Sequence, residues 1–387
     1  MENKKKKVHI PQLLAGALIG TASALAGFFL VTFILHGSNA GASPIKPNDP
    51  MEGFLYVAVA VVSIWIGIAV HELGHLMAGL LQGFHFALFT VGFLGIRAGK
   101  DRAEVFFNRD INSFGGLAAT FPASWHGEDL RKKFALVIAA GPLSSLLLGI
   151  GSLMLAWSWM PGEANKVVIF GLFCLGIISL LLFVATAIPS RSGGFTSDGG
   201  RFLALLRGGK TSAREQANLA LVALLCAGKT PGELPADLVA TISEQEEEAI
   251  NLTVINSRYL AFSYHLDRGE HEAARLQAQF LIDHQNEMPQ GYFQRYFMKE
   301  VIFFYAFVLK DMRDVQVIWE NIKKGADRDA DGATFRVKAA LELLQGARDQ
   351  AIIFARIGLQ KSGKIPFAGL RNFETKWFGK ILKEAHF

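Results

Sequence analysis

The stretch FLYVAVAVVSIWIGIAVHELGHLMAGLL, residues 54–81, decides the fold. From Phe54 to Val70 it carries no charge, and after His75 it resumes with Leu76, Met77, Ala78, Gly79, Leu80 and Leu81. A run of this length and character reads as a membrane span, which needs about 20 apolar residues. His71, Glu72 and His75 interrupt it. A charged group at such depth costs roughly 2.5–3.5 kcal/mol unless it pairs, faces water or holds an ion, so the three together ask for a function. Residues four apart lie on one helical face, so His71 and His75 can offer ring nitrogens to a single metal. Glu72, beside the first of them, can then reach a water at that metal. In a soluble helix the same five residues can be an ordinary solvated face, but an apolar span has no solvent to satisfy them. Zinc hydrolysis with this pattern takes two ligands from the helix, a carboxylate as general base and a third ligand from elsewhere.

The rest of the chain is consistent with a membrane setting for this stretch. Of its 387 residues 51% are hydrophobic and 19% charged, against about 25% charged in ordinary soluble domains. The apolar residues gather before about residue 190 and the charge after it, which implies a membrane half and a water-soluble half. The formal charge of +5 is accounted for by membrane topology, and no nucleic-acid partner is expected. Two cysteines, Cys174 and Cys226, fall in different halves and offer no disulfide framework.

Taken in order, Lys4 to Lys7 precede an apolar run at residues 13–35. It is longer than the core of a signal peptide and reads as a first span entered from the cytoplasm. Residues 36–52 form an external loop rich in Gly, Ser, Asn and Pro, and the second span then returns inward. At about 1.5 Å per residue His71 lies roughly 26 Å beyond Phe54, near the cytoplasmic end of the hydrocarbon. Residues 82–97 break the helical pattern at Gly83, Gly92 and Gly95, and predict a short β-hairpin or re-entrant loop. Such backbone is tolerated at membrane depth only when protein or a cavity covers it. It can either line the site, offering a free edge to a substrate strand, or serve as a structural cover for the metal helix. Basic residues from Lys100 to Lys133 belong on the cytoplasmic side. A third span over 134–159 and a fourth over 167–188 bring the chain back to that side.

The segment after the fourth span, residues 189–200, reads PSRSGGFTSDGG. Topology returns it to the membrane face that holds His71 and His75, so Asp198 can meet them, and Gly199 and Gly200 permit a tight turn behind the carboxylate. In combination these residues make the chain resemble the site-2 protease family of intramembrane zinc metalloproteases. The matching elements are His71-Glu72-Leu73-Gly74-His75, Ala139-Ala140-Gly141-Pro142-Leu143, Pro189 and Asp198-Gly199-Gly200, over roughly residues 50–205. The resemblance implies one zinc ion per chain bound by His71, His75 and Asp198, with Glu72 activating water. Two positions depart from the family pattern: Thr186 stands where an Asn precedes the proline, and Ser145 where another Asn is common. The connection from Pro189 to Asp198 is also longer than usual. If those Asn side chains hold substrate backbone, hydroxyls must do so here or the hold is weaker. Other membrane H-E-x-x-H proteases use a downstream Glu as third ligand; Glu104 is the nearest such residue, and Asp198 is preferred.

From about residue 201 the chain reads as helices separated by polar turns. Residues 259–282, with Gly269 and Ala274, and 335–360, with Gly346 and Ala351, resemble tetratricopeptide-like helical hairpins, and 296–322 fits a further helix pair. Two other motifs fail on inspection. Gly228-Lys229-Thr230 lacks the upstream glycine of a phosphate loop, Ala223 standing there, and Asp327 to Gly332 opens like a calcium loop but has Lys338 at its twelfth position. The expected architecture is an α-helical membrane protein with about four transmembrane helices and a short β-hairpin or re-entrant loop, followed by an all-α helical-repeat cytoplasmic domain. Its expected parts are residues 1–52, a metalloprotease core over 53–205 and a cytoplasmic helical domain over 206–387. The expected protein is a multi-pass plasma-membrane zinc endopeptidase, both termini cytoplasmic, that cuts membrane-protein or peptide substrates near the cytoplasmic face. A protein partner on the helical domain goes with this reading. The alternative is a weak or inactive membrane scaffold with a structural zinc.

Overall fold

The structure is a computed structural model that describes residues 49–99, 102–108, 114–123, 129–160, 165–192, 195–243, 250, 252–288 and 291–386. The expected first span, residues 13–35, lies outside the described residues.

Three described helices are long and apolar enough to cross a membrane: α1 (Pro50–Leu81), α2 (Leu130–Trp159) and α3 (Lys166–Ala187). Helix α1 begins earlier than its apolar run. Asp49 caps it, its carboxylate accepting from the Glu52 amide at 2.8 Å, and Pro50 fills the first turn, where a missing N–H costs nothing. The helix then runs unbroken through His71 and His75 to Leu81. Phe54, Val57, Val61 and Val62 point outward, while Ser63, Gly67 and His71 are buried against the neighbouring helices. Close approach rests on small residues, as is usual where lipid gives no hydrophobic drive between helices. A Cβ on Gly149 of α2 would lie 2.7 Å from Leu180 of α3, and one on Gly176 of α3 2.6 Å from Leu153 of α2. Helix α3 stops at Ala187 because Pro189 disfavours a helical conformation for the residue before it.

The glycine-punctuated segment after α1 forms strands, and more of them than the sequence suggests. The predicted hairpin is β1 (His85–Val91) and β2 (Leu94–Ala98), turned at Gly92, whose φ is +56°. Two further strands, β3 (Ala103–Phe107) and β4 (Leu117–Phe121), lie in the basic stretch from Lys100 to Lys133, for which the sequence suggests a cytoplasmic position and no strand. The four make one sheet in the order β3-β2-β1-β4. The bias of basic residues reports which side of the membrane a segment occupies, not its backbone conformation, so it could not disclose these strands.

After α3, a two-stranded ladder, β5 (Arg191–Ser192) with β6 (Phe195–Thr196), leads into α4 (Asp198–Arg207) and α5 (Gly209–Cys226). The chain divides into two compact units. One takes in α1 through His85, residues 89–94 and residues 113–212; the other comprises residues 86–88, 95–112 and 213–387.

The second unit is mainly helical, with α6 (Ala236–Ser243), α7 (Leu252–Arg268), α8 (His271–Asp283), α9 (Tyr292–Phe303), α10 (Gln316–Asp329), α11 (Gly332–Leu344), α12 (Arg348–Ser362) and α13 (Ala368–His386). Gly269 and Gly346 turn α7 into α8 and α11 into α12 with φ of +76° and +79°, and the alanines five residues on, Ala274 and Ala351, are fully buried. These are the two helical hairpins expected from the Gly and Ala spacing. Its core is aromatic, built around Phe262, Phe297, Phe303, Phe304 and Phe378, and encloses Arg336 between the carboxylates of Glu300 and Glu374. The motifs set aside have structural work here. Asp331 caps α11 through the Thr334 amide and pairs with Lys299, and Arg295 grips Asp329. Thr230 and Glu233 form a reciprocal helix-capping pair.

Candidate metal centre

The helical spacing places His71 and His75 on the face of α1 that meets α2 and the start of α4. Asp198, the first residue of α4, completes the group. His71 Nε2 lies 3.1 Å and His75 Nε2 3.5 Å from Asp198 Oδ2, and the two ring nitrogens are 3.2 Å apart. Ligands about 2.0–2.1 Å from a tetrahedral zinc ion lie roughly 3.3–3.4 Å from one another, so these separations fit such an ion.

The far side of each ring is also fixed. His75 Nδ1 is 2.8 Å from the Val137 carbonyl, which can only accept, so that nitrogen carries the hydrogen and Nε2 keeps its lone pair. His71 Nδ1 is 2.9 Å from Ser145 Oγ, and donation to that hydroxyl leaves its Nε2 equally free to ligate. Outer partners of this kind orient ligands and raise their basicity. Both come from α2, and Gly141 between them makes room for the His75 ring: a Cβ there would sit 2.2 Å from His75 Nε2. Truncating Ser145 to Ala should therefore weaken metal binding by about 10- to 100-fold with little change in fold. Chelator competition on the purified protein measures this, and an affinity equal to the wild type would show that the hydroxyl does not orient His71.

Asp198 is aimed by the loop before it. Ser197 caps α4 through the Gly200 amide, donates its hydroxyl to the Ile188 carbonyl at 2.7 Å and accepts from the Ser190 amide at 2.9 Å. The long connection from Pro189 is thus pinched shut at its base. Gly199 packs against the end of α3, where a Cβ would meet the Ala187 carbonyl at 1.8 Å. Burial opposes ionisation of Asp198, but with no metal bound the two imidazoles, when protonated at Nε2, donate to it and outweigh burial, holding the carboxyl well below the usual carboxylate range. Its place at a helix N-terminus acts in the same direction.

Glu72 follows His71 on the helix and faces the turn into β4. It takes a hydrogen bond from the Ala118 backbone, and Gly116, at φ +105°, passes so close that a Cβ would lie 2.7 Å from its Oε1. The carboxylate is held by the sheet while the ligands are held by α2 and α4.

The remaining candidates go elsewhere. Glu104 pairs with Arg97 at 3.0 Å. Thr186 donates to the Leu182 carbonyl of its own helix, and Ser145 is engaged with His71, so the two hydroxyls at the family's Asn positions already have partners. Sequence reasoning missed Val137, Ala118 and Ser197, named Gly141 only as part of a family-like element without a role, and treated Ser145 only as a substrate contact. Among these, Gly141 and Ser197 carried a signal, a glycine inside an apolar helix and a capping residue before Asp-Gly-Gly.

The family model described as Peptidase family M50 matches residues 59–378, most of the chain. No match is found among curated proteins or among solved structures.

Proposed function

The chain belongs to peptidase family M50, the site-2 protease family, and from that membership we propose that it is a zinc endopeptidase cutting membrane-associated polypeptides near the cytoplasmic face. Membership supports a membrane metalloprotease in general. The observation that carries the finer reading is the convergence of His71, His75 and Asp198, their ligand atoms within 4.8 Å of one another, with Glu72 near enough to interact electrostatically with all three.

A zinc ion held by these three residues supplies a Lewis acid that lets water ionise near neutral pH and polarises a carbonyl. The Val137 carbonyl keeps His75 in the ligating tautomer, and Ser145, by accepting from His71 Nδ1, orients His71 to ligate through Nε2. Glu72, anchored by the Ala118 amide, takes the proton from water and returns it to the leaving amine. A helical substrate hides its carbonyls in its own hydrogen bonds and must unwind before it can be cut.

In this reading residues 13–35 are the first of four spans, both termini are cytoplasmic and the protein resides in the plasma membrane. The helical domain, tetratricopeptide-like in its Gly269 and Gly346 hairpins, selects substrate or recruits a protein partner. The second reading, a catalytically weak scaffold with a structural zinc, draws support from Thr186 and Ser145 being bonded within the protein. Against it stands Glu72, since a structural metal needs no base beside it.

Terminus mapping tests the proposal. Full-length protein in proteoliposomes, loaded with zinc and mixed with single-span membrane proteins from its own cells, should generate new termini that vanish with a chelator and return with zinc. A set of termini indifferent to the chelator would overturn the reading.

A further inference from the structure

Beside the ligand cluster lies a cavity of about 290 Å³ between α2, α3 and the start of α4. Pro142, Phe183 and Phe202 form its bulky walls, and Ala139 and Ala187 leave the space between them. Among the described residues Asp198 is the only polar side chain lining it, and the same carboxylate closes the metal-ligand group. The cavity and the candidate reaction centre therefore share a wall.

We propose that this cavity is the subsite for the substrate side chain flanking the cleaved bond, and that it selects a large apolar residue such as leucine, methionine or phenylalanine. The proposal rests on the protease reading above. Its first support is reach. Successive Cα atoms are about 3.8 Å apart, so when a peptide carbonyl sits at the ligand cluster, a residue directly adjoining that bond can place its side chain past Asp198. The second is size: an apolar cavity of about 150 Å³ holds a benzene molecule, so a phenyl ring or a branched aliphatic chain fits with room for its stem. The third is chemistry. A buried acidic side chain entering the cavity would meet Asp198 with no cation among the lining residues, and a small one would leave the apolar walls without contacts.

The test uses the substrate found by terminus mapping, synthesised as a single-span peptide with Gly, Ala, Leu, Phe, Trp or Asp on either side of the cut. With the zinc-loaded full-length protein, Leu or Phe at one of these positions should exceed Ala in kcat/KM by about 10- to 100-fold. Ala139→Leu, which fills the cavity, should reverse that order, and Phe183→Ala should extend it to tryptophan. A second readout needs no turnover. On Glu72→Gln protein the Leu peptide should bind about tenfold more tightly than the Ala peptide, and adding Ala139→Leu should erase the difference. Zinc content equal to the wild type verifies that each variant keeps its fold. Cleavage that depends on Glu72 but whose side-chain preference both pocket variants leave untouched would overturn the subsite and leave the protease reading standing. That result would fit a cavity filled by the chain's own residues 13–35 or by a lipid chain. Absence of any Glu72-dependent cleavage would instead remove the protease reading and the subsite with it.

Discussion

Glu72→Gln should bind one zinc ion per chain as the wild type does and cut its substrate at least about 10²- to 10⁴-fold more slowly in kcat, the range associated with a positioned general base. The substitution keeps the shape of the side chain. The amide oxygen can still accept from the Ala118 backbone, and Gly116 still has room, so the surroundings of the metal ligands need not move. What disappears is a group able to take a proton from water and hand it on. Metal analysis and single-turnover cleavage on the same preparation separate the two contributions. Zinc lost along with activity would make Glu72 a structural part of the site, and cleavage at the wild-type rate would remove it from the chemistry.

How far the site could be read from the sequence depends on what fixes each contact. His71, Glu72 and His75 stand in a relation set by the helical repeat alone, and that repeat is the same in every helix, so the shared face of the two histidines, with Glu72 beside it, was legible before any coordinates. Asp198 lies 127 positions beyond His71. It was legible through counting membrane crossings, because each span reverses the side on which the chain emerges. The groups behind the ligands obey neither rule. Whether Ser145, Val137 or some other residue of α2 meets the two rings depends on where α1 and α2 cross and how each is rotated about its axis. That is decided by close contacts such as Gly74 against the Ala140 carbonyl, where a Cβ would come within 2.6 Å. The strands β3 and β4 were missed for a related reason. Each has only five residues, and their identity as strands comes from pairing with neighbours more than from local pattern. Yet β4 supplies the Ala118 backbone group that holds Glu72, so the least legible element has a direct part in the proposed chemistry.

Gly141→Ala should abolish zinc binding at any concentration that saturates the wild type, although helix propensity alone favours the change by about 1 kcal/mol. The added Cβ would lie 2.2 Å from His75 Nε2, 2.4 Å from Cε1 and 2.7 Å from Cδ2, so it meets the ring itself and not a mobile end. The ring has no neutral direction in which to retreat. Its Nδ1 is bonded to Val137 one turn earlier on the same helix, and its Nε2 is one corner of the ligand triangle. Relief must come either from swinging the imidazole out of the cluster or from moving α2 away from α1, and the second also draws Ser145 off His71. Both routes remove a ligand or its support, and loss of support alone costs about 10- to 100-fold in affinity. Gly151→Ala is the matched control, since it lies on the same helix and a Cβ there meets nothing within 4 Å. It should match the wild type in zinc content and cleavage. Zinc bound normally by Gly141→Ala would mean that the two helices part without disturbing the ligands. The packing of α2 against α1 would then have to be dropped as the device that holds His75 in place.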